Sequence, residues 1–461
     1  MSILRRSRAA SFLSEIEALQ LGDCSVSFAA LSRAVDRDKV RLGRKHQGIC
    51  VLQAERSLAF VARFLALYEL GVPQALVAPD WTPAELDARL ARLQRWFQLD
   101  EDGHVVRQSA PGDSIHHEDC AVVMFTSGST GVPRAVQLSR RNIEANVAAV
   151  VVALAFEPAG EQVLFLPLHY SFGLLGQLLP ALRVGASTRL LTNLVDVKAL
   201  AERGELRGMV SGVPSHLEAL VRLFGDRRLS LERVTHVISA GAALTVSLRR
   251  RLADTFPASR IYGNYGQTEL SPRALCMHSG HPAFFTAATG YPVGDVEVRV
   301  GEDDELHVRS QQVMLGYLGD ARATAEMIVD GWLRTGDAAT IAEDGLVTVL
   351  GRRDHVLDIG GARVDPVEIE SALADVPGVA AAAVLRQDDA LRGGVLIALL
   401  IGERPGALPG HAELRRRLRE QLSPGKIPAR FYQVAELPRT ASGKLRRAAL
   451  ADLVEPGHVL S

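Results

Sequence analysis

Phe125-Thr126-Ser127-Gly128-Ser129-Thr130-Gly131-Val132-Pro133-Arg134 is the stretch on which the reading of this chain turns. The apolar run leading into it, Ala121 to Phe125, predicts a buried strand. The strand ends in a loop of glycine, serine and threonine with a cation at its far end. Gly128 and Gly131 accept positive φ and leave room for a ligand, so several backbone N–H groups can turn toward one point. The hydroxyls of Thr126, Ser127, Ser129 and Thr130 add donors, and Arg134 adds a fixed positive charge. Such a loop is equipped to hold a polyphosphate. It is not a Walker loop, because no Gly-Lys-Ser/Thr follows at the required spacing. By itself a Ser/Gly/Thr loop is as readily a plain surface turn.

Outward from the loop, strands and helices alternate from about residue 49 to 263. Ile49 to Gln53 predicts a strand, and Leu58, Val61, Phe64 and Leu65 then form a helical stripe. Thr82-Pro83-Ala84-Glu85 has capping-box chemistry with proline at the first helical position. Apolar strands are expected near Val122, Val163, Met209 and Val237. The alternation implies a mostly parallel sheet covered by helices, with ligands at the carboxyl ends of its strands. The phosphate loop follows such a strand directly. From about 286 to 350, short alternating strands such as Val296–Val300 and Leu306–Val308 suggest a small antiparallel β unit. After Gly351 the pattern predicts a helix from about Asp365, strands near Val379 and Val395, and a helix from about His411, enough for a small α+β domain.

Composition bounds the function. At 461 residues the chain is too long for one ordinary core. The net charge of −1 gives no reason to expect nucleic acid or an acidic membrane as partner. Cys24, Cys50, Cys120 and Cys276 are scattered, which argues against a disulfide framework or a zinc site and fits a reducing, cytoplasmic compartment. The longest purely apolar run, Val147 to Phe156, is about half the ~20 residues a membrane span needs. Arg5, Arg6 and Arg8 open the chain without an apolar signal segment behind them, so a solvated basic start is expected.

Four further stretches stand in order behind the loop: Gly263-Asn264-Tyr265-Gly266-Gln267-Thr268-Glu269, Thr335-Gly336-Asp337, Gly351-Arg352-Arg353-Asp354 running on to Gly361-Ala362-Arg363, and Pro438-Arg439-Thr440-Ala441-Ser442-Gly443-Lys444. With the loop, they resemble the motif series of the adenylate-forming superfamily, which contains acyl- and aryl-CoA synthetases, luciferases and peptide-synthetase adenylation domains. The resemblance runs from residue 121 to 447. It implies an α/β fold with a large N-terminal domain, residues 1–352, made of mostly parallel helix-covered sheets and a small β unit. A small, mobile α+β C-terminal domain, residues 353–461, would carry the catalytic lysine.

The chemistry so implied is activation of a carboxylic acid by ATP with Mg²⁺, followed by capture of the acyl group on the thiol of coenzyme A or of a phosphopantetheine arm. A carboxylate is a poor electrophile because its leaving group is oxide. An acyl-adenylate carries AMP as leaving group, which a thiol displaces. The resemblance gives Lys444 the role of bridging the substrate carboxylate and the α-phosphate. Thr268 would donate to the α-phosphate, and Arg352 would meet the ribose or phosphates. Glu269 would hold Mg²⁺, a hard cation suited to a hard oxygen ligand. Residues Thr126 to Gly131 and Arg134 would hold phosphates, Gly241, Ala242, Asn264 and Tyr265 would line the nucleotide, and Asp337 would accept from the ribose hydroxyls. Read without the resemblance, Tyr265 is core packing, Glu269 a surface acid and Gly336-Asp337 a turn.

The hinge is expected at Asp354, where the C-terminal domain swings, withdrawing Lys444 and bringing in the thiol path around Gly361 and Arg363. Leu166-Pro167-Leu168-His169-Tyr170-Ser171-Phe172-Gly173 resembles the segment lining the acid pocket, with His169 or Tyr170 as an aromatic gate and Phe172 beside it. Ser211, Gly212, Val213, Ser239 and Gly263 would complete the walls. No acid stands in the 166–173 stretch to pair an α-ammonium group, which disfavours an amino acid and points to an aryl or modest aliphatic acid.

Two departures from the family pattern are expected to matter. The phosphate loop ends Pro133-Arg134-Ala135 where the family has Pro-Lys-Gly, and arginine keeps the charge of lysine but not its geometry. The loop also begins earlier in the chain than in most acyl-CoA synthetases, which implies a short N-terminal part. The basic helix face of Arg415, Arg416, Arg417 and Arg419 suits either an acidic carrier protein or plain solvation. A non-catalytic nucleotide- or acyl-binding module is the alternative of another class, and the presence of Lys444, Glu269 and Asp337 argues against it.

Overall fold

The computed structural model describes residues 17–22, 24–43, 48–100, 102–109, 116–126, 134–224, 231–353, 357–359, 362–364, 366–388, 394–439, 445–454 and 458–460. The chain forms two compact units. The first comprises residues 1–241, 251–299 and 307–335, and the second 242–250, 300–306 and 336–461.

The first unit holds two large sheets. One has seven strands, in the order Gly316–Tyr317, Arg134–Ser139, Cys120–Thr126, Gln74–Val77, Ile49–Gln53, Trp96–Leu99 and Val105–Gln108. Its four central strands are parallel. Ile49, Cys50, Val51 and Leu52 are all buried, as in a strand covered on both faces. The helix Leu58–Leu70 is capped by Ser57 and closed by Gly71 in the left-handed conformation at φ 75°. It buries Phe60, Val61, Phe64, Leu65 and Tyr68, which is more than one face, so it lies inside the unit rather than on it. The capping box of Thr82 and Glu85 is formed in both directions.

The second sheet has nine strands, in the order Tyr291–Pro292, Leu275–His278, Arg260–Tyr265, Val234–Ser239, Gly208–Gly212, Glu161–Leu164, Ser187–Leu190, Glu17–Leu21 and Cys24–Ser27. From Arg260–Tyr265 to Glu17–Leu21 the neighbours are parallel. Every strand expected near Val122, Val163, Met209 and Val237 is present.

The second unit contains the ladder of Asp337–Ile341 against Val347–Arg352 and a hairpin of Leu357–Ile359 with Ala362–Val364. A four-stranded sheet follows in the order Val379–Gln387, Val395–Gly402, Arg430–Gln433 and His458–Val459. The strand Val395–Gly402 alternates between two cores: Leu396, Ala398 and Leu400 pack with Ile369, Leu414 and Phe431, while Val395, Ile397 and Leu399 pack with Leu437 and Leu450. The helices Pro366–Ala374 and His411–Arg419 lie where the sequence predicts them.

Candidate active site

The strands that flank the Ser/Gly/Thr stretch pair with each other in the first unit. Cys120–Thr126 returns antiparallel as Arg134–Ser139, with Thr126 opposite Arg134 and Phe125 opposite Ala135. Ser127, Gly128, Ser129, Thr130 and Gly131 lie outside the described residues. Ala135, which stands where the family pattern has glycine, is a buried strand residue in one core cluster with Val123 and Phe125, where its methyl fills core space.

The strand partner of Arg134–Ser139 brings in a residue that sequence reading did not single out. Gly316–Tyr317 pairs antiparallel with that strand, Tyr317 opposite Val136. The Tyr317 hydroxyl donates to Glu269 Oε1 at 2.9 Å, and the Arg134 guanidinium lies over the Tyr317 ring, 4.9 Å from its centroid, with Nη1 3.4 Å from the hydroxyl. Burial, together with the neighbouring Glu269 carboxylate, pushes the Tyr317 phenol well above its usual range, so it stays a donor. Glu269 is buried, on the short helical turn Thr268–Leu270, and Met314 N–H donates to its carbonyl at 2.9 Å. Nothing in the sequence links Tyr317 to Glu269, 48 positions apart, beyond a Gly-Tyr pair closing the apolar Val313–Leu315 run.

Thr268 and Ser171 place their hydroxyl oxygens 3.1 Å apart, which ties the Thr268–Leu270 turn to the segment carrying His169, Tyr170 and Phe172. His169 is buried between Trp81, 5.9 Å away edge-on, and Tyr170, 4.0 Å away. Burial pulls its pKa down to about 4, so the ring is neutral at physiological pH, and both ring nitrogens lack a partner. Tyr170 is the more exposed of the two, and Phe172 packs against the core cluster that includes Val150, Ile238 and Tyr262.

The carboxyl ends of the parallel strands gather small residues. Gly212 and Gly263 flank Ser239 in register on neighbouring strands. Ser211 and Ser239 are buried with hydroxyls that have no protein partner. Asn264 donates from Nδ2 to the Ser239 carbonyl at 3.1 Å, and its Oδ1 is buried and unpartnered. Orphaned acceptors and hydroxyls at strand ends are what a polar ligand would satisfy. Gly241 has φ +87° and sits so close to Val213 that an added Cβ would lie 3.2 Å from Val213 Cγ1. Tyr265 accepts from Ala274 N–H at 2.9 Å through its carbonyl, on the return from the Thr268–Leu270 turn. Gly266 is required there, because a Cβ would meet the Pro272 carbonyl at 1.8 Å.

The second unit holds candidate residues of its own. Asp337 and Arg352 are direct partners across their strands, with Nε and Oδ1 3.8 Å apart. Buried Glu305 clamps the same turn, accepting from Gly336 N–H at 2.9 Å and from Arg353 Nη1 at 3.0 Å. Sequence reading missed Glu305, which carries no motif. Ala242 is exposed in this unit. Arg363 lies on the strand Ala362–Val364, and Asp354, Gly361 and Lys444 lie outside the described residues. On the helix His411–Arg419, Arg416 pairs with Glu413 and Glu420, Arg417 pairs with Glu413, and Arg415 donates to the Pro428 carbonyl. Arg416 and Arg417 hold Glu413 down to about 2.

The donor set fits Mg²⁺. Glu269 offers a buried carboxylate of which Oε1 takes the Tyr317 hydroxyl, and Mg²⁺ is commonly held by one or two carboxylates together with substrate phosphates. No cluster of three or more His, Cys, Asp or Glu suited to a self-sufficient metal site occurs among the described residues. Among those residues, too, no helix is long and apolar enough to cross a membrane.

Residues 92–318 match the model of the AMP-binding enzymes, and residues 368–444 that of the AMP-binding enzyme C-terminal domain. A methyl-dioxo-octahydroindenyl-propanoyl:CoA ligase of Rhodococcus jostii is 30% identical over 361 residues, 77% of this chain and 68% of the relative. Feruloyl-CoA synthase of Amycolatopsis sp is 31% identical over 340 residues, 71% of this chain and 68% of that enzyme. Among solved structures, O-succinylbenzoate coenzyme A synthetase of Bacillus subtilis in complex with AMP is 25% identical, with a TM-score of 0.80 over 97% of this chain and 98% of the other. The same Bacillus subtilis enzyme is known with ATP and a magnesium ion, at 24% identity and a TM-score of 0.81 over 98% of this chain and 99% of the other.

Proposed function

This chain belongs to the AMP-binding, adenylate-forming enzyme family, and from that premise we propose that it joins an aryl or modest aliphatic acid to coenzyme A in two steps. In the first, a carboxylate oxygen of the acid attacks the α-phosphorus of ATP and pyrophosphate leaves. In the second, the thiol sulfur attacks the acyl carbon, AMP leaves with the bonding electrons, and the thiol proton passes to solvent. Neither step requires a covalent enzyme intermediate, so the protein contributes position and charge.

The observation that carries this reading is the Arg134–Tyr317–Glu269 series beside the Thr268–Ser171 contact, at the end of the hairpin that bears the phosphate loop. Arg134 and the loop residues hold the phosphates, and Thr268 donates to the α-phosphate. Glu269, oriented by Tyr317, holds Mg²⁺, which neutralises phosphate charge when bound. Asn264 Oδ1 and the Ser239 and Ser211 hydroxyls supply partners for the polar edges of the nucleotide and acid. Tyr265 offers its ring to adenine, and Asp337, beside Arg352, accepts from the ribose. His169, neutral and packed at a tilt against Tyr170, forms the gate. Lys444 bridges the carboxylate and the α-phosphate. The domain beyond Asp354 then swings so that Gly361 and Arg363 line the thiol's approach.

Coenzyme A is favoured over a carrier protein by one observation. Three of the four arginines of His411–Arg419 that could meet an acidic carrier, Arg415, Arg416 and Arg417, are already engaged by Glu413, Glu420 and the Pro428 carbonyl, and Arg419 alone is exposed without such a partner among the described residues. The test is ATP–pyrophosphate exchange across aryl, aliphatic and amino acids, followed by thioester formation with coenzyme A and with phosphopantetheinylated carriers. Acid-dependent exchange and a coenzyme A thioester are expected. Thioester on carriers alone would replace coenzyme A as the acceptor, and exchange with amino acids alone would overturn the acid assignment.

A further inference from the structure

Of the two arginines buried among the described residues, Arg249 donates from Nε to the Leu244 carbonyl at 2.9 Å. Arg273 has no such partner. Its side chain is 3% exposed, Nε and Nη2 make no hydrogen bond, and no carboxylate among the described residues pairs with it. One face of the guanidinium is covered by the Phe172 ring, 4.4 Å from its centroid. That contact engages the π face and leaves the N–H edges, where a planar guanidinium binds anions, unused. The titratable group acting on its charge is the Cys276 thiol, which burial pushes up to about 12 and so keeps neutral. Burial draws Arg273 down to about 10, still cationic at physiological pH. A buried charge without a counterion is among the costliest arrangements a fold can keep.

The place of this cation is specific. Asn146 Nδ2 donates to the Leu270 and Arg273 carbonyls, which pins the chain on leaving the Thr268–Leu270 turn. Phe172, which the guanidinium covers, follows Ser171, whose hydroxyl lies 3.1 Å from that of Thr268. Gly176 stands beside the guanidinium, where an added Cβ would lie 3.3 Å from Nη2, and it belongs to a π-helical turn, Leu174–Leu178, a feature often found at functional sites. The Gln177 side chain on that turn and Asn146 Oδ1 are also buried without partners. The orphaned cation thus stands against the segment assigned to the acid, whose Ser171 touches the Thr268 hydroxyl assigned to the α-phosphate.

We propose that Arg273 is a specificity-determining residue that pairs with a second carboxylate of the acid substrate, so that the enzyme activates a dicarboxylic acid at its other end. The proposal rests on the acid-activating reading above and deepens it. The guanidinium edge accepts a carboxylate through two parallel hydrogen bonds, geometry that lysine cannot copy. A site built to pair with such a group discriminates strongly against an analogue lacking it, because the cation is then left buried and alone.

The test is pyrophosphate exchange with aliphatic and aryl dicarboxylic acids, each run beside its monomethyl ester, in the parent, Arg273→Met and Arg273→Lys. In the parent, at least one diacid is expected to exceed its monoester about 100-fold in kcat/KM. Arg273→Met should lose most of that preference through a raised KM for the diacid, with a far smaller change for the ester, and Arg273→Lys should restore part of it. Parent activity on monoesters or simple monoacids equal to or above that on every diacid overturns the proposal and leaves acid activation standing, a result that needs no variant. Equal losses on diacid and ester in Arg273→Met, with a lowered melting temperature, make Arg273 a packing residue and overturn it as well. No exchange with any acid overturns the ligase reading and the proposal together.

Discussion

The Tyr317 hydroxyl donates to the buried Glu269 carboxylate at 2.9 Å, joining an edge strand of the seven-stranded sheet to the turn whose acid is proposed to hold Mg²⁺. A hydrogen bond to a charged group is worth about 1.5–3 kcal/mol, and here it also fixes which way the carboxylate points. Tyr317→Phe is therefore expected to lower pyrophosphate exchange roughly 10- to 100-fold and to raise the Mg²⁺ concentration needed for half-maximal rate. Exchange rates across a Mg²⁺ titration check this. An unchanged Mg²⁺ dependence would mean that Glu269 is oriented without Tyr317.

Arg134 faces two tasks, since its guanidinium covers the Tyr317 ring and its charge stands at the end of the phosphate loop. Arg134→Lys should keep most activity, because charge rather than fork geometry is what a phosphate loop supplies. Arg134→Ala should raise the KM for ATP by about tenfold, the scale of one charge-assisted contact. Equal activity of Arg134→Ala and the parent at subsaturating ATP would show that the loop does not use this charge.

His169 gives a pH signature. Its folded pKa lies near 4, below the ordinary 6.5, so between these values the unfolded chain binds the proton that the folded chain refuses. The stabilisation is complete above pH 6.5 and is lost as pH falls toward 4. At pH 5 the loss is about 2 kcal/mol relative to neutral pH. Urea unfolding at pH 7 and pH 5 should show this loss in the parent and its reduction by that amount in His169→Phe. Identical pH dependence in both proteins would mean that His169 is protonated in the fold.

Gly361→Leu separates the half-reactions. A bulky side chain on the proposed thiol path should leave pyrophosphate exchange within about threefold of the parent and lower thioester formation by 100-fold or more, since only the second step needs the passage. Melting measured beside both assays distinguishes a blocked path from a damaged fold. Normal melting with parental thioester formation would remove Gly361 from the path.

Local signals carried the sequence reading furthest. The strand Ile49–Gln53, the helix beginning at Leu58 and the Thr82/Glu85 box are each decided by neighbours within a few positions, by burial period or by a side chain capping its own turn. Where several motifs stand in series, residues were singled out: Asn264, Thr268 and Glu269, which contact Ser239, Ser171 and Tyr317. Tyr317 was not, because its place follows from pairing with Val136 across the chain, and a two-residue edge strand has no period to read. Glu305 escaped for a similar reason: an acid in a strand reads as solvent-facing until Gly336 and Arg353 are seen donating to it. Arg273 looked like one more arginine among many, and only its burial without a partner sets it apart.

Acid-dependent ATP–pyrophosphate exchange, measured side by side in the parent and Lys444→Ala, tests acid adenylation most directly. The parent is expected to exchange with at least one aryl or aliphatic acid. Lys444→Ala should lose that exchange by several powers of ten, about 4 kcal/mol or more, while still converting preformed acyl-AMP to thioester. Exchange in the parent that ignores every acid, or exchange at the parental rate in Lys444→Ala, would contradict it.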